Sequence, residues 1–442
     1  ISKDYKKYNK QIIDLDKKIS ISNEKFIYSG DELRRRQYLA GMNIEDLELI
    51  LHPMVEEAKE AVGSMGDDTP TAVLSDRYRP LSHFFRQNFS QVTNPPIDSL
   101  RENEVMSLKT RFGNLRNILD FENVPIDNIY VLDSPILSNS QFEKFTVFFK
   151  NNLRVLDCTF NVQNNLKERL DQLSFEAEIA VREGCKHLIL SDKQLSEKKA
   201  AVPMILAFGA INSKLVNLGI RGFVSINVQT GEVLDTHSFA VLLGVGATTI
   251  NPYLAFDSIY QRYEKKLFGK FSYEECIQRY IKSVNNGLLK IMSKMGISVL
   301  SAYRGGCNFE TVGLSRAVVA EYFPGMISRI SGIGIFGIET KVKELHKKAF
   351  QKNVSILPIG GIYKYRKNGE NHQYQGQLIH MLQHAVAINS YETYKKYAQG
   401  IYNLPLINLR DLLIFKSPRK SININEVELE TSLRKRFGSG SM

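Results

Sequence analysis

Gly332-Ile333-Gly334-Ile335-Phe336-Gly337 fits the pattern G-x-G-x-x-G and runs into a basic stretch. Such a turn can cradle a phosphate at a helix N-terminus. A dinucleotide fingerprint also needs an acid about 20 residues on for the ribose. The residues near 357 read Leu-Pro-Ile-Gly, so we read these glycines as a turn. His380 and His384 are spaced i, i+4 on a predicted helix, with His372 nearby. Metal binding would need a further ligand in E-x-x-H or H-E-x-x-H context, and none accompanies them. A solvated or partly packed helix face is the better reading. Cys158, Cys185, Cys276 and Cys307 are widely spaced, with no C-x-x-C pair. That argues against a disulfide framework, a zinc knuckle or an iron–sulfur cluster made by these residues alone. No Ser/His/Asp order, G-x-S-x-G or Walker A motif stands out.

The elements that would position such residues change character along the chain. Residues 1–37 are polar and Lys-rich and read as a helical lead-in. Asn43 suits the N-cap of Ile44-Glu45-Asp46-Leu47; Pro53 should then break or kink the helix, which continues to Gly63. Residues 81–90 read as helix. After about 125, short apolar strands alternate with helices of 10–16 residues. Strands are predicted at 129–132, 155–157, 187–192, 223–228 and 298–303; helices at 203–218, 252–265 and 281–294. This alternation predicts a parallel sheet with crossover helices. An open doubly wound sheet and a β/α barrel compete. The count of about 250 residues fits a barrel, and an imperfect one.

Composition narrows the class. Hydrophobic residues make up 43% of 442, a globular value. No run of 18 apolar residues exists and the start lacks an apolar signal region, so we expect no membrane span and a cytoplasmic home. The formal charge is +11, and residues 341–442 carry 17 Lys and Arg against 7 Asp and Glu. We place a domain boundary near 340. Lys347-Lys348, Lys364-Tyr365-Arg366-Lys367, Lys395-Lys396 and Arg434-Lys435-Arg436 could contact nucleic acid on charge alone. Without a recognisable RNP, KH or helix-turn-helix pattern, a solvated or intramolecular face is preferred. The start without Met and the end at Gly438-Ser439-Gly440-Ser441-Met442 lead us to expect a slice of a longer polypeptide.

The residues themselves resemble a known family. Leu49-Ile50-Leu51-His52-Pro53-Met54, Glu60-Ala61-Val62-Gly63-Ser64-Met65-Gly66-Asp67-Asp68-Thr69-Pro70 and Leu74-Ser75-Asp76-Arg77 closely resemble the glutamate synthase large chain. So do Phe84-Phe85-Arg86-Gln87, Gln91-Val92-Thr93-Asn94-Pro95-Pro96-Ile97-Asp98 and Met106-Ser107-Leu108. Gly244-Val245-Gly246-Ala247, Ile250-Asn251-Pro252-Tyr253-Leu254-Ala255, the run 290–298, and Tyr303-Arg304-Gly305 continue the match. Tyr363-Lys364-Tyr365-Arg366 and Arg410-Asp411-Leu412-Leu413 carry it past the boundary. Gly306-Cys307-Asn308, Gly438 and Ser441 depart from the family pattern.

The resemblance implies an α/β fold: residues 38–340 as a degenerate TIM-like β/α barrel, the central domain, followed by an incomplete second β/α domain. Residues 341–442 would be the N-terminal part of the FMN-binding domain. The family makes two L-glutamate from L-glutamine and 2-oxoglutarate with FMN and a [3Fe–4S] cluster. The resemblance places the nucleophilic Cys and the cluster-ligating Cys residues outside this sequence, so no catalytic residue is assigned here. Implied partners are a glutamine amidotransferase domain, the remainder of the FMN domain and a small NADPH-oxidising subunit, with no nucleic acid and no membrane. By resemblance, Thr93 and Asn94 line an ammonia tunnel, and Ser439, Gly440, Ser441 and Met442 pack against the flavin. The competing reading is a non-catalytic interaction module from a split or decayed gene.

Overall fold

The strand-then-helix alternation after residue 150 builds a four-stranded parallel sheet. Its strands are Leu153–Asp157, His187–Ser191, Ser225–Gln229 and Thr249–Asn251, and they lie side by side in chain order. Helices Leu166–Arg182, Met204–Asn217 and Thr236–Gly244 are the crossovers. His187–Ser191 is buried along its whole length, so both faces are covered and the sequence is apolar without alternation. Polar groups inside the sheet pair across neighbouring strands. The Asn227 amide donates to the Leu188 carbonyl (3.2 Å), Thr249 Oγ1 donates to Asn227 Oδ1 (2.7 Å), and His187 Nδ1 meets Ser225 Oγ (2.8 Å).

The computed structural model describes residues 12–61, 67–88, 98, 100–112, 128–351, 356–414, 416 and 420–438. The chain divides into two compact units, Ile1–Ile407 and Asn408–Met442. The first is an α/β unit. Its longest helix, Tyr273–Met295, opens on a Ser272/Glu275 capping box and ends at Gly296 in the left-handed region, φ 68°. The second contains the short helix Glu430–Phe437, and none of its described residues is buried.

Several local expectations change. The described residues 81–88 form no α-helix: a 3₁₀ turn, Leu81–Phe84, leads into the strand Phe85–Gln87, which pairs antiparallel with Phe309–Thr311. Ser298–Tyr303 is not a strand. Val299 makes one parallel bridge to Ser107, and Leu300–Tyr303 is a helical turn. Pro53 does not break its helix. It falls in the first turn of His52–Glu57, directly after π-helical Asp46–Leu51, where its missing N–H is tolerated. That helix ends at Glu57, with Ala58 left-handed, before the predicted Gly63. Position 340 itself lies within the helix Ile335–Gln351 and does not bear on the boundary expected there.

The G-x-G-x-x-G run does join a strand (Ile327–Ile333) to that helix. Its glycines serve packing. A Cβ on Gly332 would lie 2.2 Å from the Gly313 carbonyl oxygen of the paired strand, and one on Gly337 would strike the Ile333 side chain at 2.5 Å.

Candidate functional site

In β/α architectures ligands sit beyond the C-terminal ends of the parallel strands. Here those ends carry a continuous polar layer. Asp192, directly after His187–Ser191, accepts from Thr230 Oγ1 (2.6 Å), the Gly231 N–H (3.0 Å) and the Tyr253 hydroxyl (2.8 Å). Ser191 Oγ donates to Gln229 Oε1 (3.0 Å), and Gln229 Nε2 donates to Asn251 Oδ1 (3.1 Å). Asn251 Nδ2 donates to Asn139 Oδ1 and to the Leu137 carbonyl, both at 3.0 Å.

Residues 24–39 close this layer from above. The Asp257 carboxylate accepts the N–H groups of Ile27 and Tyr28, both at 2.9 Å. Glu24 bonds Ser138 and Ser140, and Gln37 Nε2 donates to Ser258 Oγ (2.8 Å). Arg36 reaches the carbonyls of Lys193 and Leu195, with its guanidinium 3.8 Å from the centre of the Tyr28 ring. Burial raises the Asp192 carboxyl and pushes Asp257 up to about 7. The strand ends are therefore filled by the chain's own side chains, and the described residues there do not fit a flavin ring.

A second constellation forms where loop 356–374 docks on residues 43–79. The Glu45 carboxylate accepts three successive N–H groups: Ile362 (2.6 Å), Tyr363 (3.1 Å) and Lys364 (2.9 Å). Gly360 and Gly361, both left-handed, turn the backbone into this nest. Arg79 pairs with Glu370 (3.1 Å), which also accepts from Ser75 Oγ (2.6 Å). His372 bridges Asp68 (2.8 Å) and the Gly361 carbonyl (2.6 Å). Sequence reasoning missed the roles of Glu45, Arg79 and Glu370 here.

An inner cavity of about 50 Å³, room for a water or two, is lined by Asp46, Tyr78, His83, Glu232, Asp235 and Tyr363, among others. Burial pushes Asp46 up to about 7 and Glu232 up to about 8, and pushes His83 down to about 4. Burial also raises Asp235, but His237, the Ser238 N–H and His83 outweigh it and hold that carboxyl low. Asp235 caps the helix Thr236–Gly244 through the Ser238 N–H (2.9 Å), and its place before an apolar run was a readable signal.

Glu232 makes a pH-dependent contribution. The unfolded chain releases its proton near 4.5, whereas the fold holds it to about 8. Between these values the folded state binds more protons, so stability falls as pH rises. Glu232→Gln keeps an acceptor for the Met204 N–H (2.9 Å) and removes the titration. Thermal unfolding should show the variant close to the parent at pH 4 and more stable at pH 8, by about 1.4 kcal/mol for each pKa unit relieved. An equal difference at both pH values would contradict this.

Thr93, Asn94, Ser439, Gly440, Ser441 and Met442 lie outside the described residues. The root of the Thr93–Asn94 segment is clamped. Tyr303 OH donates to Gln87 Oε1 (2.7 Å), and Gln87 Nε2 (2.9 Å) and the Asn88 N–H (2.8 Å) both donate to the Asn308 carbonyl. Asn308 Nδ2 returns to the Tyr303 carbonyl (2.7 Å), which gives the unusual Gly306-Cys307-Asn308 turn a role. His380 and His384 are exposed on the helix Gly376–Ala387. Among the described residues no group of three His, Cys, Asp or Glu could hold a metal ion, and no helix is long and apolar enough to cross a membrane.

Residues 35–315 match the family described as glutamate synthase central domain. The glutamate synthase [NADPH] large chain of Azospirillum brasilense is 52% identical over 96% of this chain. That of Bacillus subtilis is 38% identical over 93%, and the chloroplastic ferredoxin-dependent glutamate synthase of Spinacia oleracea is 36% identical over 94%. The chain spans 28%, 27% and 27% of these relatives' lengths. A solved mutant flavocytochrome b2 with pyruvate bound aligns over 67% of this chain and 93% of its own, at 11% identity and a TM-score of 0.30.

Proposed function

Because the chain belongs to the glutamate synthase central-domain family, we propose that it is the scaffold and ammonia-tunnel segment of a glutamate synthase large chain. The complete enzyme would form two L-glutamate from L-glutamine and 2-oxoglutarate. It would use FMN and a [3Fe–4S] cluster held by residues other than those described here. The observation that carries the reading is the filled strand-end layer around Asp192, Asn251 and Asp257. A site sealed by its own satisfied side chains suits a structural relative of a cofactor-binding barrel. The in-order parallel strands support a degenerate TIM-like barrel over residues 38–340.

Residues 1–37 then act as lead-in and cover, and residues 341–442 begin the FMN domain. Exposed Leu413, Ile414, Leu429 and Phe437 support a partner surface there, consistent with the remainder of that domain. The other partners would be the glutamine amidotransferase domain and a small NADPH-oxidising subunit, in the cytoplasm. Ser439 to Met442 would present small residues to the flavin ring.

Ammonia must stay unprotonated and out of bulk water between two sites. Thr93 and Asn94, on a segment rooted by the Gln87–Tyr303–Asn308 clamp and stiffened by Pro95-Pro96, would narrow its path. The 442-residue chain by itself is expected to retain no FMN through gel filtration and to hydrolyse no glutamine. Retained flavin absorbance or released ammonia would overturn the scaffold assignment.

A further inference from the structure

The outer cavity beside the loop 356–370 plays no part in the reading above. It measures about 290 Å³, at the small end of the range for metabolite pockets. One wall is a single stripe of the helix Ile335–Gln351: Lys341, Glu344, Leu345 and Lys348, at i, i+3, i+4 and i+7. Tyr38, Met42 and Tyr78 also line it, with Pro358, Ile359 and Ile362 on the loop side.

The charges in this lining are unevenly matched. Glu370 is neutralised by Arg79. The Arg77 guanidinium donates to the carbonyls of Asn368 and Gly369, both at 3.1 Å. The ammonium groups of Lys341 and Lys348 have no carboxylate within 4 Å and no hydrogen bond among the described residues; Lys341 Nζ lies 6.0 Å from the Phe84 ring centre. Arg77, Lys341 and Lys348 thus face two unneutralised carboxylates, Asp76 and Glu344, which leaves one positive charge over. Burial lowers the Lys341 pKa, and the nearby Glu344 carboxylate only partly offsets it. Seven residues of helix separate the two lysines by about 10 Å along the axis.

We propose that this cavity binds a small organic dianion. Its charges meet Lys341 and Lys348, and its carbon frame lies against Leu345, Ile359 and the tyrosines. Dicarboxylates and phosphate monoesters share that chemistry. Calorimetric titration of the 442-residue chain with glutarate and with phenyl phosphate separates the two, and inorganic phosphate tests the need for a carbon frame. Saturable one-site binding of at least one organic probe is expected, weakened at least about tenfold in Lys341→Met and in Lys348→Met. Lys347→Met, on the same helix but outside the lining, should leave binding unchanged. Lys348 is exposed, so its variant should fold even where Lys341→Met does not. Absence of binding by both organic probes, equal binding by the Lys348→Met variant, or equal affinity for inorganic phosphate overturns the proposal. None of these results bears on the tunnel reading.

Discussion

Glu370→Ala is expected to destabilise the chain by about 3–5 kcal/mol in urea unfolding. Glu370 and Arg79 form an ion pair whose side chains are 1% and 5% exposed. The carboxylate also accepts from Ser75 Oγ and, at 2.9 Å, from the Asn371 N–H. Removing it strands a buried guanidinium whose Nε has no hydrogen-bond partner among the described residues. The desolvation already incurred by Arg79 is then uncompensated, and this exceeds the modest net value of the pair itself. The double variant Arg79→Met/Glu370→Leu, which removes both charges and keeps volume, should therefore lose less than Glu370→Ala alone. A loss under about 1 kcal/mol in the single variant would mean that the loop 356–374 is not latched in this way.

Asp192→Ala has a comparable expected effect. It leaves Thr230 Oγ1, the Gly231 N–H and the Tyr253 hydroxyl without their acceptor in a buried layer. Each stranded donor costs about 1–3 kcal/mol; with some relaxation the total is on the order of 3–5 kcal/mol. Asp192→Asn keeps the shape. Its oxygen accepts from Thr230 or Gly231, and its amide can donate to the Tyr253 oxygen, so the loss falls to about 1 kcal/mol. The pair of variants separates two roles for this position. In a complete large chain carrying this sequence, a catalytic carboxylate would lose activity in both variants with stability largely kept. A structural one loses stability in Ala and keeps function in Asn, and the second pattern is expected.

The parts of the fold that were legible are those with local causes. His187–Ser191 reads as a strand because burial on both faces makes it an apolar run, and the helix expected at 281–294 is there, although it starts eight residues earlier, at Tyr273. The opposite case is 81–90, whose aromatic spacing looks helical. Phe85 to Gln87 are instead drawn into pairing with a strand more than 200 residues later, which local pattern cannot convey. The sites divide likewise. The polar residues at the strand ends are readable as strand termini, but what seals them comes from residues 24–39. Glu45 finds its nest 317 positions away, and Ser75 meets Glu370 across 295. Such long-range charge pairing leaves no mark in spacing. The glycines of G-x-G-x-x-G carried a readable geometry, strand into helix. The reason for them, contact with Gly313 and Ile333, emerges only from the paired strands.

The tunnel assignment is tested most directly by stoichiometry in a complete glutamate synthase large chain carrying this sequence. With Asn94→Trp, glutamine hydrolysis should continue while ammonia escapes into solution. Glutamate formed per glutamine consumed should fall by up to about tenfold. Unchanged coupling, with no ammonia released, would contradict the account.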